Sequence, residues 1–235
     1  MIVRPIKTIR VKPNSSSIYD ILDEFLPSLE ERSIVAITSK LVSICEGALA
    51  PYDKANIEAL VKAEADYYLP AQKGMRRLTV TRNILNPKVG IDVSREKKYF
   101  ILWPRNPQKT ANNICHYLKS KRGLKKLGIV ITDSSTTPLR RGVTGIALAH
   151  SGFLATRKTK TDTRSNIAQG LAATAVVTMG EGQEQTPLAI ISDVPFVKFK
   201  DKHPSTAELK MLKLSFEEDI YGQLLTSVNW QKNKQ

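Results

Sequence analysis

Asp133 stands where a run of apolar and β-branched residues, Ile129 to Thr132, gives way to the hydroxyls of Ser134, Ser135, Thr136 and Thr137. A buried strand that ends this way delivers a carboxylate to its rim. Oxygen donors of that kind suit a hard divalent cation. Arg140 and Arg141 follow between the turn formers Pro138 and Gly142, so guanidinium groups stand near the carboxylate, shaped to take a phosphate or a substrate carboxylate. Asp133, Arg140 and Arg141 are the candidate catalytic groups, suited to an anion held through a metal. A turn-capping aspartate beside arginines that only solvate the surface is the alternative, and these residues alone leave both open.

Other chemistry-bearing residues are spread along the chain. Ser39 and Lys40 follow the apolar run Ser33 to Thr38, and a hydroxyl and a lysine at a strand exit, followed by Glu46 and Gly47, can hold a phosphate and a metal. Asp92 closes a short strand and is followed by Ser94 and Arg95. Gly180, Glu181, Gly182 and Gln183 open a glycine-bearing turn that runs to Pro187. No glycine-lysine phosphate loop, His-Glu-x-x-His motif or serine elbow is present, and His116, His150 and His203 stand far apart.

The elements that must position these groups read as follows. Residues 2 to 12 alternate as a strand, with Pro5 placing it near a sheet edge. Ser17 caps a helix carrying Ile18, Ile21, Leu22 and Phe25 at helical spacing. Helices are expected over Asp53 to Tyr68, with Asp53 as cap, over Thr110 to Lys121 and over Asn166 to Met179. Strands are expected at Ser33 to Thr38, Ile129 to Thr132, Val143 to Ala149 and Leu188 to Ser192. Leu78 to Arg82 and Lys88 to Val93 read as a strand pair, Phe153 to Ser165 as a basic, mobile surface loop, and the residues after Pro204 as a last amphipathic helix with the acidic patch Glu217 to Asp219. The pattern is α+β, with mixed and antiparallel sheets and packed helices.

A chain of 235 residues can bury a core as one large domain or as two small ones packed together, and residues 1–235 are read as one unit of that kind. No stretch approaches the roughly 20 apolar residues of a membrane span. The first residues carry no signal-peptide core, so a cytoplasmic protein is expected. Cys45 and Cys115 fit buried free thiols better than a metal pattern or a disulfide. The net charge of +14 calls for an anionic partner. Few aromatics interleave with the basic residues, so a stacking platform for single strands is missing and nucleic acid ranks below small anions.

Taken together, Val35 to Gly47, Gly90-Ile91-Asp92, Val130 to Asp133, Arg140 to Gly145 and Met179 to Gly182 occur in the order seen in the coenzyme F420-0:γ-glutamyl ligase family, which the chain resembles over roughly residues 30 to 192. The resemblance implies an intertwined homodimer of an F420 ligase-like α+β fold. It implies a GTP-dependent enzyme that joins L-glutamate to a carboxylate of a small anionic acceptor, coenzyme F420-0, giving a γ-glutamyl amide, GDP and phosphate. A divalent cation, manganese or magnesium, accompanies the nucleotide, with potassium as a further cation. Carried over residue by residue, Asp92, Asp133 and Ser134 match metal positions. Ser39 and Lys40, together with Gly180, Glu181, Gly182 and Gln183, match nucleotide positions, as does Ile9 to Lys12, and Arg95 is a further nucleotide-binding candidate. Asp92 and Asp133 are expected at one metal-nucleotide site.

The chain departs from the family at Ile44, where lysine is usual, at Arg95, where asparagine is, and at Thr136-Thr137, where a Gly-Arg pair is. It departs again at Arg105 to Gln108 and at Gln169-Gly170, and is shorter between Gly152 and Asn166. The metal core is kept better than the acceptor side, which makes folate, also γ-glutamylated, an alternative acceptor. Outside the ligase class, a basic nucleic-acid-binding module or a homologue that only assembles are the competing readings.

Overall fold

Ile34, Val35, Ala36 and Ile37 form an unbroken apolar run, and a strand of that composition is stable only when both of its faces are covered. The structure, a computed structural model, describes residues 1–71, 77–161 and 163–233 and divides into two compact units. The first is Met1–Ala48 with Trp103–Pro204, the second Leu49–Leu102 with Ser205–Gln235. In order, the first unit contains β1 (Ile2–Ile6), α1 (Ile18–Phe25), β2 (Ser33–Thr38), α2 (Ser39–Glu46) and α3 (Pro107–Arg122). It continues with β3 (Leu127–Thr136), β4 (Val143–Ser151), β5 (Thr156–Lys158), β6 (Arg164–Asn166), α4 (Ile167–Met179) and β7 (Leu188–Ser192).

Five of these strands form one sheet in the order β1, β7, β2, β3, β4. β2 and β3 are parallel, with Thr38 opposite Thr132, and the other pairs are antiparallel. Period-two alternation then sorts the side chains. Val35, Ile37, Leu127, Ile129 and Ile131 pack with α1, α2 and α3 through Ile21, Leu22, Val42, Ile114 and Leu118. Ile34, Ala36, Val130, Ala189 and Ile191 pack with Ala168, Leu171, Ala172 and Ala175 of α4. α1 begins at a reciprocal Ser17–Asp20 capping box, and α2 ends at Gly47 in the left-handed region at φ 67°.

Gly145 shows how closely the layers approach. A Cβ there would lie 2.4 Å from the Ala172 carbonyl oxygen and 2.7 Å from Val176, so Gly145→Ala must push α4 off the sheet. We expect that substitution to lower the stability measured by chemical denaturation by about 1–3 kcal/mol. Gly170→Ala, where a Cβ meets nothing within 4 Å in a helix interior, should raise it by up to about 1 kcal/mol.

In the second unit, Gln231–Lys232, Tyr67–Tyr68, Leu78–Thr81 and Ile84–Pro87 form one small sheet, and Leu49–Pro51, Tyr99–Ile101 and Asp92–Val93 another. Val61, Ala65, Val89, Ile91 and Phe100 form its core. The buried Arg77 guanidinium is held by Glu58 at 2.5 Å and by the Leu69 carbonyl at 2.7 Å.

Several elements differ from the sequence reading. β1 stops at Ile6, because beyond its last pair with Leu188 the chain turns to bond Thr8 N–H to the Gln185 carbonyl. The helix expected from Asp53 starts at Ile57, because the Asn56 side chain, not Asp53, accepts from Glu58 and Ala59, and it ends at Glu64. Leu78–Thr81 pairs with Ile84–Pro87 through a tight turn at Arg82 and Asn83, both at positive φ, whereas Asp92–Val93 pairs with Tyr99–Ile101. α3 begins at Pro107, capped by Asn106. Within Phe153 to Ser165, Phe153 is buried and β5 pairs with β6; Asp162 lies outside the described residues. After Pro204 there are two short helices, Thr206–Lys210 and Gly222–Ser227. The acidic run between them forms turns, with Ser215 N–H bonded to Glu218.

Both cysteines are free, Cys115 buried and Cys45 half-buried. Burial, with Glu46 nearby, pushes the Cys45 thiol up to about 11. This raised folded value contributes stability below the ordinary thiol pKa that is lost as pH rises toward 11. A disulfide reagent at pH 8 is therefore expected to modify neither thiol rapidly until the protein is unfolded, as a stopped-flow absorbance trace would read.

Candidate functional site

The parallel register that sets Thr38 beside Thr132 carries the next residues, Ser39 and Asp133, to the same end of the sheet. There Ser39 Oγ donates to Asp133 Oδ1 at 3.1 Å, although the two lie 94 positions apart. Asp133 is inside β3, paired with Ile146, rather than at a strand rim as its hydroxyl-rich neighbours suggested. β-Branched and hydroxyl residues are compatible with a strand, and the ladder with β4 carries it on to Thr136. Ser39 and Lys40 form the first turn of α2 instead of a loop. The cap residue Thr38 makes no side-chain hydrogen bond to that turn, and Lys40 is exposed. The positive end of a helix, a lysine and a hydroxyl thus face one sheet edge beside a half-buried carboxylate.

Antiparallel pairing brings the glycine loop to the same edge. Leu188 pairs with Ile37, so the residues before β7 return past the end of β2, and Thr38 N–H bonds to the Pro187 carbonyl at 3.0 Å. Thr8 N–H bonds to Gln185 in the same loop, also at 3.0 Å. Residues 180–187 wrap around Glu184, whose carboxylate accepts from Gly182 N–H at 2.8 Å. Gly180 sits at φ 78°, and a Cβ there would lie 2.5 Å from Glu184 Cδ. Glu181 is exposed and accepts from Ser134 Oγ at 2.6 Å.

Asp133 and Ser134 are consecutive strand residues and therefore point to opposite faces of the sheet. Asp133 shares its face with Ile129 and Ile131, toward α2. Ser134 shares its face with Val130, toward the end of α4 and the glycine loop. The resemblance gives both as metal positions; the structure gives each its own neighbours. Asp133, Ser134 and Glu181 supply oxygen donors alone, the chemistry of magnesium and manganese. Among the described residues no group of three or more His, Cys, Asp or Glu is gathered to hold a metal. A magnesium ion needs no such cage, since it binds through one or two carboxylates and takes its other ligands from phosphates and water, so these residues fit it.

Arg140 and Arg141 are exposed at the turn between β3 and β4, three ladder positions or more beyond Asp133, and Arg140 Nη1 donates to the Leu139 carbonyl at 3.3 Å. Asp92 and Arg95 are exposed residues of the second unit. Glu46 takes a structural part that its strand-exit context did not suggest. It accepts from Thr110 Oγ1 at 2.5 Å and from Arg105 N–H at 3.3 Å, tying the end of α2 to the chain before α3.

Two residues escaped the sequence reading. Glu184 was seen only as part of a turn. Trp103, in the proline-bearing stretch before α3, is buried and its Nε1–H donates to Asp133 Oδ2 at 2.5 Å. The available signal was that a buried indole N–H requires an acceptor.

The profile of the family described as F420-0:Gamma-glutamyl ligase matches residues 72–193, more than half of the chain. A coenzyme F420:L-glutamate ligase of Methanococcus maripaludis strain C6 is 40% identical over 122 residues, covering 48% of this chain and 48% of that protein. One of Methanocaldococcus jannaschii is 29% identical over 197 residues, covering 72% and 79%, and one of Methanopyrus kandleri is 27% identical over 198 residues, covering 69% and 75%. The match to the first of these spans about half of that relative's length.

Proposed function

The chain belongs to the F420-0:γ-glutamyl ligase family, and we propose that it is a GTP-dependent ligase that adds L-glutamate to a carboxylate of coenzyme F420-0. The observation that carries this reading is the Ser39–Asp133 hydrogen bond at 3.1 Å, made at the sheet edge where the α2 N-terminus and the glycine loop also arrive. Such an edge offers backbone N–H groups, a lysine and carboxylates to a nucleotide and its cation. Phosphoryl transfer is catalysed chiefly by positioning and by neutralising charge.

In this reading the acceptor carboxylate oxygen attacks the γ-phosphorus, GDP leaves, and an acyl phosphate forms. The glutamate amine then attacks the acyl carbon, the bond to phosphate oxygen breaks, and a proton passes to solvent as the amide forms. Lys40 and the first turn of α2 hold phosphate oxygens, residues 180–183 border the nucleotide, and Arg140 and Arg141 attract the anionic acceptor. Asp133 on one face, and Ser134 with Glu181 on the other, are the residues to hold magnesium or manganese. The cation would supply charge neutralisation on the phosphates. Asp92 and Arg95 are proposed as a metal and a nucleotide contact from the resemblance, as is a homodimer, which light scattering of the purified protein tests.

Incubation with GTP, Mn²⁺, L-glutamate and coenzyme F420-0 is expected to give a product heavier by one glutamyl residue in the mass spectrum, with GDP released in equal amount. Folate in a parallel reaction tests the acceptor. Turnover of neither acceptor, combined with salt-sensitive RNA binding, would favour a nucleic-acid module instead.

A further inference from the structure

We propose that Trp103 is the positioning residue of Asp133, holding that carboxylate in the orientation a divalent cation requires, and that its indole emission reports the cation's arrival. The proposal rests on the ligase reading for the cation and on the geometry of this chain for the residue.

Donors on both oxygens orient the Asp133 carboxylate. Trp103 Nε1–H reaches Oδ2 at 2.5 Å and Ser39 Oγ reaches Oδ1 at 3.1 Å. A carboxylate oxygen has two lone-pair sites, so each oxygen can accept from a donor and still face a cation. With a donor held on each oxygen the carboxylate plane can no longer rotate freely. Both donors are governed by α2. Ser39 is its first residue, and Glu46, its last, accepts from Arg105 N–H and Thr110 Oγ1 on either side of the start of α3. That clasp anchors the chain immediately after Trp103. The indole is only 6% exposed, which keeps water from competing for the carboxylate at that side. A tryptophan that merely filled the core would need some acceptor for its N–H, but any backbone carbonyl would serve. Trp230 uses one, donating to the Leu225 carbonyl at 2.7 Å. Trp103 instead spends its hydrogen bond on the carboxylate that ends between the helix and the sheet edge.

Groups behind a metal ligand orient it, and removing one typically weakens metal affinity about 10–100-fold. Trp103→Phe keeps most of the ring and its burial and removes the N–H. Titrated with Mn²⁺ in the presence of GTP and followed by the electron paramagnetic signal of free Mn²⁺, this variant is expected to bind at least about tenfold more weakly than the parent protein. Its kcat should fall while the KM for glutamate stays unchanged, a split that loosened packing would not produce. Because the protein has two tryptophans, Trp230→Phe leaves Trp103 as the sole emitter. Its emission should change on saturation with Mg²⁺ and GTP, and the change should vanish when Asp133→Asn is added. Mn²⁺ affinity within about twofold of the parent in Trp103→Phe, below the usual effect of such a group, overturns the proposal alone. If that variant does not fold, emission unmoved in Trp230→Phe by a cation whose binding the paramagnetic signal registers overturns it equally. A parent protein that binds no Mn²⁺ with GTP takes down the ligase reading and this proposal together.

Discussion

Asp133→Asn is expected to lower GTP-dependent glutamyl transfer by at least about 100-fold, the usual scale for losing one preorganised charge-stabilising group. The fold should survive. Asparagine keeps one oxygen for either Trp103 or Ser39, so the loss is on the scale of a hydrogen bond to a charged group, about 1.5–3 kcal/mol. The side chain lies at the end of the sheet rather than in its middle, and the apolar contacts of Ile129 and Ile131 below it are untouched. The assay is mass-detected product formation beside a thermal melt of the same preparation. A variant that melts near the parent temperature and turns over at an unchanged rate would remove Asp133 from the chemistry. A melt lowered by tens of degrees would assign it to the fold. Ser39→Ala makes the useful comparison, since it removes the partner of Oδ1 and leaves the charge. Its effect on kcat should be the smaller of the two, about tenfold.

Much of this edge was legible in the sequence because it depends on local rules. An unbroken apolar run bounded by Ser33 and Thr38 must be a strand covered on both faces, and β2 has those bounds in the structure. β7 and α4 likewise follow their apolar patterns, and Ser17 caps the helix it precedes, whereas Asn166, expected inside its helix, is the cap. The extent of β3 was not legible, because Asp133 to Thr136 hold their place through pairing with β4, a partner across a turn that propensity does not see. The same limit applies to the second unit. Arg82 and Asn83 both take positive φ, and a two-residue turn of that kind shifts which residues pair by several positions. Trp103 was invisible for another reason. Its partner lies 30 positions away, and no local spacing rule announces a bond at that separation. The resemblance names Asp133 and its neighbour Ser134 together as metal positions. Adjacency in a strand instead separates two side chains onto opposite faces, and only a strand longer than the sequence suggested brings that rule to bear.

That separation gives the second large effect. Ser134 Oγ donates to Glu181 Oε1 at 2.6 Å, and Glu181 is exposed in a loop whose other carboxylate, Glu184, accepts from the loop's own Gly182 N–H. Glu181 is thus the carboxylate of this loop that is tied to the sheet and not to the loop's own backbone, and it is exposed where a cation carrying nucleotide phosphates can reach it. Glu181→Gln retains an oxygen for the Ser134 hydroxyl and removes the negative charge, so the loop should keep its conformation while the cation loses a ligand. We expect the apparent affinity for GTP with Mg²⁺ to fall by at least about tenfold in calorimetric titration. Affinity for GTP in the presence of chelator, which the charge of Glu181 can only oppose, should stay the same or rise. Glu184→Gln should behave differently. Losing that charge weakens the bond to Gly182 N–H, so the melting temperature, rather than the cation dependence, is expected to move. If Glu181→Gln lowers GTP affinity equally with and without Mg²⁺, Glu181 acts on the nucleotide directly, and the face of the sheet that carries Ser134 holds no cation.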